Sequence, residues 1–240
     1  MTDALRLSDL DLAALLCSRV CHDIISPAGA IANALELYDD PDMDAETRAT
    51  ALDMVRNSAR TATARLKFCR IAFGAAGSAG AHIDLSEAGE TAKAFMHDEK
   101  AKLDWQAPRE NRPQQQGKLI LNMLLMAMAG VPRGGLVTVS VEGDAFTVRA
   151  KGDRARVPEP MAEVLAGRAA LESLDARLVQ PYYARILAQS GGVGPGQGLG
   201  GGGGAGAPPR GHAGGRPGPG RPRPHPRRPP PPRPAPPHAP

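Results

Sequence analysis

Two long runs of apolar side chains, spaced alternately by four and three residues, constrain this chain more than any other feature. In residues 9–38 the run is Leu10, Ala14, Cys17, Cys21, Ile24, Ala28, Ile31, Leu35 and Tyr38, the seam of a coiled coil or antiparallel bundle. Pro27 and Gly29 interrupt it, and an interior proline costs about 3 kcal/mol relative to alanine. The apolar phase continues past Pro27, which predicts one bent helix rather than two. Residues 39–44, Asp-Asp-Pro-Asp-Met-Asp, read as a tight connection with Asp42 or Asp44 as the next N-cap. Leu52, Val55, Ala59, Ala62, Leu66, Cys69 and Phe73 repeat the seam over a second helix at 45–74. Two long helices with a short loop form an antiparallel hairpin. Alanine-rich seams are too thin to bury much surface alone, so a homodimer is expected, two hairpins completing a four-helix bundle.

After a Gly/Ala/Ser linker at 74–80 the pattern changes. Residues 85–97 and 116–130 predict helices, and 136–141 and 145–150 predict strands joined by a Gly143-Asp144 turn. Shorter helices are expected at 161–166, 169–172 and 179–189. The fold class is therefore α plus α/β: a helical-hairpin domain at 9–75, then a small α/β sandwich at 82–190 with one antiparallel sheet covered by helices. Residues 191–240 hold sixteen glycines and sixteen prolines, too few apolar side chains for a core. That tail reads as disorder, as a basic proline-rich partner-binding segment, or as the product of a reading-frame slip in a GC-rich gene.

The charge balance divides along the same boundary. The tail carries seven of the chain's 29 basic side chains and no acid, leaving 22 against 25 acidic ones in residues 1–190. The body is mildly acidic, and no nucleic-acid partner is expected for it. Three cysteines do not make a disulfide framework, and no apolar run reaches the length of a membrane span. A cytoplasmic protein is expected. Cys17, Cys21 and Cys69 all fall on seam positions, so buried small hydrophobes are a better reading than a metal site.

Chemistry concentrates in residues 18–27, Ser-Arg-Val-Cys-His-Asp-Ile-Ile-Ser-Pro. With Cys21 on the seam, His22 lies on the flank of the bundle, and Ser18, Ile25, Ser26 and Gly29 are its helical neighbours. Small residues beside an exposed imidazole leave room for a phosphoryl group and a docking protein. Asp23 can hold one ring nitrogen as N–H and steady an imidazolium. Ser26, one turn on, bonds either phosphoryl oxygens or its own helix carbonyl.

His22-Asp23-Ile24-Ile25-Ser26-Pro27 resembles the H-box of dimeric sensor histidine kinases. The wider string, from Leu16-Cys17-Ser18-Arg19 through Ala30-Ile31-Ala32-Asn33-Ala34-Leu35-Glu36, resembles the ChpT family of bacterial cell-cycle histidine phosphotransferases, and the likeness covers residues ~10–190. The resemblance implies a dimer of hairpins with a degenerate kinase-type domain. It implies that phosphate passes from a hybrid kinase's receiver aspartate to His22 and on to response regulators, a CtrA-type regulator and a single-domain receiver among them. It implies a docking surface of Arg19, Ile25, Ala32, Asn33, Glu36, Arg56 and Arg60. No cofactor of its own is implied, Mg²⁺ coming with the partner receiver.

The second domain separates transferase from kinase. A working kinase presents Asn-x-x-x-Asn on a helix; here Asn122 is kept and Met126 stands second, a poor ligand for a hard cation. Where kinases have Asp-x-Gly-x-Gly, this chain has Gly152-Asp153-Arg154-Ala155-Arg156. Residues 175–180, Asp-Ala-Arg-Leu-Val-Gln, replace the glycine-rich lid whose backbone would approach phosphates. ATP binding is not expected. Phosphotransfer is thus preferred over an ATP-using histidine kinase with an unusual pocket, and over a scaffold that binds regulators without chemistry.

Overall fold

The computed structural model describes residues 6–74 and 81–191; the residues of the tail beyond 191 lie outside it. Helix α1 spans Asp9–Asp39 without a break at Pro27. Ser8 starts it, its Oγ accepting the Asp11 N–H at 3.1 Å, which meets one of the orphan donors of the first turn. Asp44 caps α2 (Ala45–Ala72) in the same way through the Thr47 N–H. The two helices pack as the expected hairpin.

The seam inside the hairpin is not the predicted one. Pro27 and Ala34 are buried on α1, with Leu16, Val20, Asp23, Ala30 and Leu37 half-buried on the same seven-residue repeat. Leu10, Cys17, Cys21, Ala28, Leu35 and Tyr38 are exposed. Cys17 and Cys21 are therefore not buried within the chain, whereas Cys69 is. A bundle helix has two contact faces, and the sequence pattern marked the more apolar of them. The face used within the chain mixes Leu16, Val20 and Leu37 with Pro27, Ala30 and Ala34, and tolerates Asp23.

Beyond the hairpin come β1 (His82–Asp84), α3 (Leu85–Met96), β2 (Ala101–Gln106), β3 (Asn111–Pro113) and α4 (Gln114–Ala129). They are followed by β4 (Gly135–Glu142), β5 (Ala145–Lys151), α5 (Glu159–Leu165), a 3₁₀ turn at Leu171–Ser173 and α6 (Val179–Ser190). The predicted β4–β5 hairpin is present, with Gly143 at φ +55 in its turn, a value glycine adopts without strain. The single antiparallel sheet is not. β2 runs parallel to β4, giving the order β2-β4-β5, and β1 pairs with β3 in a separate antiparallel ladder. The parallel pair is reached through α4, as such a connection requires a crossover. β1 and β3 have three residues each, too few for an alternating pattern to register.

Val137, Val139 and Val141 turn one face of β4 onto α3 and α4. Into this core the end of α2 inserts Phe68, Ile71 and Ala72, and Phe68 stacks on Phe95 with centroids 4.3 Å apart. At the other end, Leu7, Leu12 and Leu15 pack on Val164, Leu174 and Tyr182, and the Leu7 N–H donates to the Tyr182 hydroxyl at 2.9 Å. Both helices of the hairpin are thus clasped by the second domain. No helix among the described residues is long and apolar enough to cross a membrane.

Candidate functional site

His22 projects from the middle of α1 with its side chain 67 % exposed. Its Nδ1 lies 3.4 Å from Asp23 Oδ1, and Arg19 Nε donates to Asp23 Oδ2 at 2.9 Å, one helical turn back. Asp23 is mostly covered, so its carboxylate is held between the guanidinium and the imidazole. A carboxylate at Nδ1 favours the proton on that nitrogen and leaves the Nε2 lone pair facing outward. Ser18, Ile25, Ser26 and Gly29 around it are all exposed, and a Cβ at Gly29 would meet nothing within 4 Å. With the proton on Nδ1, such an open imidazole can act as a nucleophile through Nε2.

Beneath it the Cys69 thiol is pushed up to about 11, by burial first and by the nearby Asp23 charge second. It stays protonated at neutral pH and fills space. Among the described residues, no cluster of three or more His, Cys, Asp or Glu side chains could hold a metal ion.

The residues expected at a docking surface do not all fall together. Ile25 (72 % exposed), Ala32, Asn33 and Glu36 are exposed and follow His22 at helical spacings of three, ten, eleven and fourteen. Arg56 pairs with Asp53 at 2.7 Å on the exposed surface of α2. Arg60 stands 4.0 Å from Asp98 of the second domain. Arg19 is mostly covered and bound to Asp23, a place that suits support of the carboxylate better than contact with a partner. Sequence reasoning missed Arg65 and Glu99. Arg65 Nη1 donates to the Asp23 carbonyl at 2.8 Å, and its Nη2 donates to Glu99 Oε1 at 3.2 Å.

A family model described as the histidine phosphotransferase C-terminal domain matches residues 85–194. The protein phosphotransferase ChpT of Brucella abortus (strain 2308) is 47 % identical over 191 residues, covering 78 % of this chain and 90 % of that protein. A solved bacterial phosphotransferase structure superimposes with a TM-score of 0.71 at 44 % identity, over 79 % of this chain and 91 % of that one. Identity at that level across nearly a whole relative decides the matter. The chain belongs to the ChpT family of histidine phosphotransferases. It is a protein phosphotransferase.

In this ChpT-family member the kinase-type helix α4 is committed to packing. Asn122 is fully buried, and its Nδ2 donates to the Ala72 carbonyl at 3.0 Å and the Lys118 carbonyl at 2.8 Å. Met126 is half-buried with Leu119, Met123, Ala184 and Leu187, where α6 lies on α4. Gln180 Nε2 donates to the Asn122 carbonyl at 3.1 Å and ties the two helices. Asp175, in the stretch that replaces the glycine-rich lid, accepts the N–H groups of Arg177 and Leu178. These backbone donors hold its carboxyl below the usual range and turn the chain into α6.

Proposed function

We propose that His22 is the phosphoacceptor of a phosphorelay, with the hairpin working as a homodimer in the cytoplasm. The observation that carries this reading is the exposed His22 ring whose Nδ1 faces the Asp23 carboxylate. Nε2 attacks the phosphorus of an aspartyl phosphate on a hybrid histidine kinase's receiver. The N–P bond forms as the P–O bond to the aspartate breaks, and the carboxylate leaves with the electron pair. The imidazole carries its Nδ1 proton throughout, and Asp23 offsets the positive charge that develops on the ring. Mg²⁺ bound by the receiver supplies charge neutralisation at the phosphoryl oxygens. The reverse sequence delivers the group to response-regulator aspartates, of which a CtrA-type regulator and a single-domain receiver are the proposed acceptors.

Ile25, Ala32, Asn33 and Glu36 line the approach from the loop end of the hairpin, where the receiver docks. Arg56 and Arg60 extend that surface onto α2, while Arg19 acts through Asp23. Ser26, exposed one turn from His22, would bond the phosphoryl oxygens. The second domain does not bind ATP: its retained asparagine is spent on the Ala72 and Lys118 carbonyls, and Met126 offers Mg²⁺ no hard ligand. The exposed apolar stripe of α1, Leu10, Cys17, Cys21, Ala28 and Leu35, supports the dimer, since a second hairpin would cover it. Transfer of label from a phosphorylated receiver to the wild-type chain, set against the His22→Ala variant, tests the proposal.

A further inference from the structure

Pro27 removes a hydrogen bond at the turn that carries His22. In an α-helix each carbonyl accepts the amide four residues on, and a proline at position 27 has no N–H to give the carbonyl of Asp23. That carbonyl nevertheless has a partner. Arg65, 42 positions away on α2, donates to it at 2.8 Å through Nη1. The other arm of the guanidinium donates to Glu99, between α3 and β2, at 3.2 Å. Arg65 and Glu99 are only 26 % and 33 % exposed, so the link is shielded on several sides. Beside it, Asp98 accepts from Thr61 Oγ1 at 3.3 Å, one turn of α2 from Arg65. A local helix bond has been exchanged for a long-range one that runs to the second domain.

We propose that Arg65 is a positioning residue for phosphotransfer: it supplies the hydrogen bond that Pro27 withholds, and through Glu99 it makes the second domain a brace for the His22-Asp23 turn. The proposal rests on the reading of His22 as phosphoacceptor. Without Arg65 the partly covered Asp23 carbonyl is left to find water or turn outward, since covered backbone groups rarely stay unpaired. Either response shifts the Asp23–Ile24 peptide, and with it the Asp23 Cα and the carboxylate that faces the imidazole. In-line attack depends on that orientation, and a misplacement of about 1 Å can cost roughly a hundredfold in rate. A domain without nucleotide contacts thereby has a task at the site.

The test is a double-mutant cycle on single-turnover transfer from a phosphorylated receiver domain, with thermal melting and molecular mass confirming folded dimers. Arg65→Met should lower the maximal transfer rate about tenfold at an unchanged half-saturating receiver concentration. Arg65→Lys, able to reach one partner but not both, should fall between, and Glu99→Gln should move the same way. Pro27→Ala gives residue 27 an N–H for the Asp23 carbonyl. In that background Arg65→Met should cost no more than about twofold, the remainder of its effect being coupling to Pro27. Wild-type rates in Arg65→Met, or an equal loss with and without Pro27, would overturn the inference. Label retained in His22→Ala would instead overturn the phosphoacceptor reading on which it stands.

Discussion

At the scale of single residues, the site depends on a short chain of polar contacts along one side of α1. Arg19 grips one oxygen of Asp23 and His22 faces the other. Asp23→Asn keeps a carbonyl near Nδ1 but loses the charge that opposes the developing imidazolium. It should slow transfer roughly a hundredfold while leaving the melting temperature near that of the wild type, as rapid-quench and thermal measurements would show. A rate unchanged by that substitution would leave Asp23 as a mere partner for Arg19. The contact of His22 with Asp23 was legible in the sequence because the two residues are adjacent. Arg65 was not, since its role depends on a partner 42 positions away. Pro27 did carry a signal: a proline inside a helix always leaves a carbonyl four residues earlier without its amide.

At the scale of elements, helices were legible and short strands were not. α3, α4 and α6 each have an apolar face long enough to register, whereas β1 and β3 are fixed by their pairing with each other. β2 does alternate, with Ala101, Leu103 and Trp105 inward, yet its six residues contain Lys102, Asp104 and Gln106, and no element was assigned to them from the sequence. The seam of α1 was legible as a period but not as an assignment, because one helix in a bundle serves two faces. Asn122 shows what the motif comparison left out. It caps the end of α2 by donating to the Ala72 carbonyl, one of the last-turn acceptors that a helix cannot satisfy itself. Asn122→Ala should cost about 1–3 kcal/mol, read as a lower urea midpoint. A variant as stable as the wild type would mean that water replaces the side chain at that carbonyl.

At the scale of the whole molecule, the two domains share cores instead of meeting at a hinge. The end of α2 lies within the second domain's interior, and the start of α1 packs on α5 and α6. The outer stripe of α1 remains open, with Leu35 41 % exposed, as do Met54 and Leu66 on α2. Leu35→Glu should turn a dimer into a monomer in sedimentation measurements, since each copy would lose about 2 kcal/mol of apolar burial and gain a charge facing its twin. A dimer of unchanged affinity would move the interface elsewhere. The function of the whole molecule turns on where phosphate is carried and where it comes from. Wild-type and His22→Ala chains, each mixed with labelled ATP and Mg²⁺ alone or with a labelled phosphorylated receiver, would show both. The expected result is label on the wild type from the receiver only, labile in acid and stable in alkali, and none on His22→Ala. Label acquired from ATP alone, or equal label on His22→Ala, would contradict it.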